Sequence, residues 1–172
     1  WPKERSSLFE MPLKPSIIGR SIMAKGYKAN TADNAKTINS SHEISLQSLK
    51  ILIVDDNAFN RELAIELLTD TQATLVSADD GQVAVELAGE QSFDIILMDI
   101  QMPVMDGYSA TEAIRKIYSS QELPILAMTA HALKGEREKS TSYGMNDHIT
   151  KPIDPELLIM TVAKFVKPDK KG

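Results

Sequence analysis

Ile95-Ile96-Leu97-Met98-Asp99-Ile100-Gln101-Met102-Pro103-Val104-Met105-Asp106-Gly107 is the stretch whose reading decides the fold. Its apolar run, entered through Phe93-Asp94, is too short for a typical helix and β-branched in its middle, which suits a strand buried on both faces. Such strands belong to parallel sheets, whose chemistry gathers outside their carboxyl ends. Asp99 stands where the run stops, and Pro103 and Gly107 then end regular structure. Taken alone, Asp99 could as well cap a helix or turn. Two further runs end in the same manner, however: Lys50-Ile51-Leu52-Ile53-Val54 gives onto Asp55 and Asp56, and Pro124-Ile125-Leu126-Ala127-Met128 gives onto Thr129. One sheet edge therefore collects carboxylates and a hydroxyl.

Working outward, the 172 residues allow one well-packed domain with an extension, or at most two small ones. Hydrophobic content of 42% and charged content of 25% are those of an ordinary globular chain. No apolar run approaches the roughly 20 residues of a membrane helix, so no membrane contact is expected. The absence of cysteine rules out disulfides and thiolate metal sites and fits a reducing cytoplasm. The net charge of -5 divides into +3 for residues 1–47 and -8 for the remainder. An acidic main domain argues against nucleic-acid binding, which needs clustered basic side chains. Beginning at Trp1 without an initiator Met, the chain reads as a piece of a longer polypeptide.

Residues 1–47 read as an extension or linker, the tail of a preceding domain being one origin for it. Leu13-Lys14-Pro15 with Ile17, Ile18 and Ile22 echoes Thr150-Lys151-Pro152 with Ile153, Leu157 and Leu158, either as a weak repeat or as a short amphipathic helix behind a proline. Residues 48–168 form the main domain and 169–172 a tail. Within the main domain strand-like and helix-like segments alternate, the pattern of βαβ units. The strands are expected near 50–54, 73–78, 94–98, 124–128 and 146–149, and the helices from about Asn57, Gly81, Gly107, Ala132 and Asp154. Asp79 and Asp80 read as helix caps. Ala113, Ile114 and Ile117 read as a buried helix face, and Met98, Met102 and Met105 as packing.

With the first and third strands adjacent, Asp55, Asp56 and Asp99 crowd together. Unit charges about 4 Å apart repel by about 1 kcal/mol in water and about 4 kcal/mol at an effective dielectric near 20. The cluster thus calls for a raised pKa or a bound cation, and all-oxygen ligands favour Mg²⁺ or Mn²⁺. Such an ion beside a carboxylate, with Lys151 and Thr129 arriving from other strands, suits phosphoryl transfer, where positioning and charge neutralisation dominate. In that chemistry Asp99 is the nucleophile, and Lys151 and Thr129 contact phosphoryl oxygens.

Ile51-Leu52-Ile53-Val54-Asp55-Asp56-Asn57, Leu97-Met98-Asp99 through Asp106-Gly107, Ala127-Met128-Thr129-Ala130 and Thr150-Lys151-Pro152, in that order, resemble the receiver (response-regulator) domain of two-component signalling. Asn57-Ala58-Phe59-Asn60-Arg61 and Gly144-Met145-Asn146-Asp147-His148 further resemble receivers at the C-terminal end of hybrid sensor histidine kinases. The resemblance implies a flavodoxin-like, doubly wound five-stranded parallel sheet of order 2-1-3-4-5 and Asp99 as phosphoacceptor. It implies Mg²⁺ on Asp56, Asp99 and the Gln101 backbone carbonyl, with Asp55 acting through water. It also implies Thr129 and position 148, commonly aromatic and here His148, as switch residues, and a cis Lys151-Pro152 bond. The resemblance further places Gln101 and His131 at positions that border the route of attacking water, where they would tune hydrolysis, although for His131 an exposed helix-start role fits as well.

The implied partners are a histidine kinase core and a histidine phosphotransfer protein, docking on Phe59, Asn60 and Arg61, in the cytoplasm, with a parent chain anchored in the inner membrane. No role is evident for His42. Three rivals are weaker. An aspartyl-phosphate hydrolase needs an acid two residues after its nucleophile, where Gln101 stands. A flavin-binding module needs a phosphate-cradling loop where Asp55-Asp56-Asn57 would repel one. A phosphorylation-independent interaction receiver has no need of the complete Asp, Thr and Lys set.

Overall fold

The computed structural model describes residues 45–166; the Leu13-Lys14-Pro15 echo and His42 lie outside them. Within them strands and helices alternate without exception: β1 (Lys50–Val54), α1 (Ala58–Thr69), β2 (Thr74–Ala78), α2 (Gly81–Glu90), β3 (Ile95–Asp99), α3 (Gly107–Arg115), β4 (Ile125–Thr129), α4 (Lys134–Ser142), β5 (Asp147–Thr150) and α5 (Pro155–Phe165). The strands pair in parallel in the order β2-β1-β3-β4-β5, the expected doubly wound sheet.

The three central strands read as unbroken apolar runs because both of their faces are covered. Leu52, Val54, Ile96, Met98, Ile125 and Ala127 pack with Ala84, Ala88, Ala110 and Ile114 of α2 and α3. Their alternating neighbours Ile51, Ile53, Ile95, Leu97 and Met128 pack with Ala64 and Leu68 of α1 and Leu158 and Val162 of α5. Burying each Leu or Ile contributes about 1.5–3 kcal/mol, so the sheet centre dominates stability and gives its carboxyl edge a rigid base. Leu46, inside the stretch read as linker, is also buried against this second layer and donates its N–H to the Thr71 carbonyl.

Helix starts follow their caps. The side chains of Asn57, Asp80, Asp106 and Asp154 each accept a main-chain N–H from the first turn of α1, α2, α3 and α5. Of the two acids expected to cap α2, Asp80 does so and Asp79 is exposed. α4 is different. It starts at Lys134, two residues later than expected, with Leu133 at a cap position that no side chain satisfies. The cause lies upstream: the Thr129 hydroxyl accepts the His131 N–H at 3.1 Å and donates to the His131 carbonyl at 2.8 Å, holding that segment out of the helix.

Ile117 departs from expectation, being 53% exposed, because α3 ends at Arg115 and a turn carries the chain away from the core. Met98, Met102 and Met105 pack in or against the core as expected.

Candidate functional site

β1 and β3 are neighbours in register Val54 to Met98, so the residues that follow emerge side by side at the carboxyl edge. Asp55 and Asp99 are buried and Asp56 exposed, and one carboxylate oxygen from each lies within 4.8 Å of the others. Lys151 arrives from the end of β5, placed by its own N–H donating to the Thr129 carbonyl at 2.8 Å and followed by a cis bond to Pro152. Its ammonium lies 2.8 Å from Asp55 Oδ2 and 3.3 Å from Asp99 Oδ1.

The electrostatics follow. Burial first, and then the field of Asp55, push the Asp99 carboxyl above the ordinary carboxylate range against the pull of Lys151. For Lys151, burial acts to lower the pKa, but the hydrogen bond to Asp55 and the charges of Asp99 and Asp55 outweigh it, and the net shift is upward. The pocket thus holds an excess of negative charge with one ammonium inside it. Its donors are hard oxygens at mutual distances that one small divalent ion can span, so the residues fit Mg²⁺ or Mn²⁺.

The loop after β3 is shaped by close approach. Gly107 sits where a Cβ would run into the Asp99 carbonyl, and its N–H donates to the Ile100 carbonyl at 2.8 Å. A Cβ on Gly81 would likewise meet the Met105 carbonyl, and Val104 turns the loop with φ of 69°. Gln101, two residues past Asp99 in this loop, has an exposed side chain.

Around that centre the other predicted residues divide. Thr129 is buried at the end of β4, its hydroxyl engaged by His131 main-chain atoms, with Glu136 at 3.5 Å. His131 is exposed. His148 lies on β5 opposite Ala127, half-buried, with Nε2 buried and without a hydrogen-bond partner. Burial chiefly, and then Arg137, hold its pKa below the ordinary histidine value, against Asp147 and Glu136.

Phe59 is 71% exposed, whereas Asn60 and Arg61 are tied to the site. Asn60 Nδ2 lies 3.4 Å from Asp55 Oδ1, and Arg61 Nη1 donates to the Asp55 main-chain carbonyl at 2.8 Å. The sequence reading placed all three on a docking surface. It missed this support, although polar residues one helical turn after an acidic strand end are well placed to brace it.

A doubly wound parallel sheet carrying three carboxylates and a lysine at its carboxyl edge defines a class of acidic-pocket α/β domain. The profile of the response regulator receiver domain matches residues 51–163, and the chain belongs to that family, the receivers of two-component signalling. It is 42% identical over 125 residues to the sensor protein GacS of Pseudomonas syringae pv. syringae, covering 71% of this chain and 14% of that protein. The chain therefore spans a small part of such curated relatives.

Among solved structures, it resembles the receiver domain of sensor histidine kinase PA1611 from Pseudomonas aeruginosa PAO1, which has magnesium coordinated in its active-site cleft. That match has 38% identity and a TM-score of 0.63, over 68% of this chain and 96% of that one. It also resembles one chain of the co-crystal structure of the Saccharomyces cerevisiae histidine phosphotransfer signaling protein Ypd1 and the receiver domain of its downstream response regulator Ssk1, at 28% identity and a TM-score of 0.65, over 69% of this chain and 88% of that one. No described helix is long and apolar enough to cross a membrane.

Proposed function

We propose that this receiver takes a phosphoryl group from a phosphohistidine onto Asp99 in a Mg²⁺-dependent step of a two-component phosphorelay, and then switches conformation or passes the group on. The observation that carries this reading is the meeting of Asp55, Asp56 and Asp99 oxygens within 4.8 Å with the Lys151 ammonium 3.3 Å from Asp99. Asp56, Asp99 and the Gln101 carbonyl would hold the ion, with Asp55 acting through water. When bound, the ion supplies neutralisation of charge on the phosphoryl oxygens.

The chain's own residues do the rest. An Asp99 carboxylate oxygen forms the new O–P bond as the donor's N–P bond breaks, and the electron pair stays on the donor imidazole. Lys151 contacts one phosphoryl oxygen, and the Thr129 hydroxyl, leaving His131, donates to another. The product brings about two negative charges to a pocket already crowded with carboxylates, which biases Thr129 and His148 toward a second arrangement. Gln101 and His131, both exposed, set the lifetime of the acyl phosphate.

Beside Lys151 a groove of about 160 Å³ is lined by Phe59, Asn60, Leu63, Pro152 and Ile153. We assign it to the docking of a histidine kinase core or histidine phosphotransfer protein, partners that the Ypd1–Ssk1 complex and the sensor-kinase relatives support. The setting is the cytoplasm, in a parent hybrid kinase. Incubation with a radiolabelled phosphohistidine protein tests the reading: label should move to this chain with Mg²⁺ and stay on the donor with EDTA. Label that stays put in both conditions would refute it.

A further inference from the structure

The sequence places Arg61 beside Phe59 and Asn60 on an expected docking face, but its guanidinium points inward, to the Asp55 carbonyl. Asp55 is held at nearly every polar atom: Oδ1 accepts from Asn57 N at 2.9 Å and from Asn60 Nδ2 at 3.4 Å, Oδ2 from Lys151 at 2.8 Å, and its N–H donates to Ala78. Its remaining group, the carbonyl, accepts from Arg61 Nη1 at 2.8 Å. That carbonyl belongs to the planar peptide joining Asp55 to Asp56, so fixing its oxygen fixes the plane from which Asp56 departs. Asp56 needs such a brace. It is exposed, and among the described residues its side chain has no hydrogen bond of its own.

We infer that Arg61 is a positioning residue for the acidic cluster, orienting the Asp55-Asp56 peptide so that the Asp56 carboxylate meets Asp99. The guanidinium is well suited to this, because it stands on the first turns of a rigid helix and brings a planar fork of donors to a main-chain oxygen. The inference rests on the metal-binding part of the proposed function and makes an opposite prediction to simple charge. Deleting a cation beside three carboxylates should by itself tighten divalent-ion binding, whereas losing the brace should weaken it.

Calorimetric Mg²⁺ titration of the full chain tests this. Arg61→Ala should weaken binding about tenfold, as loss of groups orienting metal ligands commonly does. Arg61→Lys, which can reach the carbonyl with a single donor, should recover part of the loss, and Glu66→Gln, an exposed change on the same helix, should bind as wild type. Urea unfolding of each variant separates a folding defect from a positioning one, since affinity is compared only at denaturant-free conditions where each is folded. Unchanged or tighter binding in Arg61→Ala would overturn the inference while leaving the phosphoacceptor reading intact. Wild-type protein without any Mg²⁺ response would overturn both.

Discussion

The Lys151 ammonium donates to Asp55 Oδ2 at 2.8 Å across 96 residues of chain, and the same nitrogen stands 3.3 Å from Asp99. One side chain at the end of the last strand thus closes a pocket whose acids come from the first and third. Removing it leaves a buried carboxylate without its cation. Lys151 keeps 22% of its side-chain surface, so water softens the loss, and Lys151→Ala should cost about 1–3 kcal/mol in metal-free protein. Urea unfolding in EDTA measures this.

Asp99→Asn should act in the opposite direction. Burial and the Asp55 charge disfavour the ionised Asp99 carboxyl, and the amide relieves that crowding. Metal-free Asp99→Asn should be more stable than wild type by about 1 kcal/mol or more. Mg²⁺ should narrow the gap by stabilising the wild type preferentially. Thermal unfolding with and without Mg²⁺ gives both numbers.

His148 makes stability depend on pH. Its pKa is lowered in the folded protein, so between that value and about 6.5 the unfolded chain binds more protons than the native one. Stability is therefore full above about 6.5 and is lost as pH falls below it. His148→Phe should flatten that part of the curve in urea midpoints measured from neutral to mildly acid pH.

Gly107→Ala should be among the most damaging single substitutions in the domain. The added Cβ meets main-chain atoms of Asp99 and Ile100 at the buried end of β3, where nothing flexible can yield. Overpacking of this kind costs about 1–3 kcal/mol. A midpoint shift in urea unfolding, together with slower phosphorylation by acetyl phosphate, is expected.

Phe59→Ala should separate partner recognition from chemistry. The ring is 71% exposed and lines the groove beside Lys151 without touching the acidic cluster's hydrogen bonds. Transfer from a phosphohistidine protein should slow by about tenfold or more, the loss expected of an aromatic anchor. Acetyl phosphate, too small to use the groove, should react at the wild-type rate.

Most of the fold was legible because burial on both faces leaves a blunt signature. Ile51 to Val54, Ile95 to Met98 and Ile125 to Met128 each form an apolar run that ends on a polar residue, and that ending also located the site. The edges were harder to read. β5 contributes only Asp147–Thr150, and the start of α4 depends on a hydroxyl binding main-chain atoms of His131, a tertiary choice with no periodicity to announce it. Ile117 read as core because helical spacing alone cannot say where α3 stops. Arg61 read as surface because a long polar side chain does not reveal whether it faces a partner or its own backbone.

The central claim is that Asp99 is the phosphoacceptor, and intact mass after incubation with acetyl phosphate and Mg²⁺ tests it most directly. Wild type should gain the mass of one phosphoryl group, and Asp99→Asn should gain none. No gain in the wild type, or an equal gain in both proteins, would contradict the account.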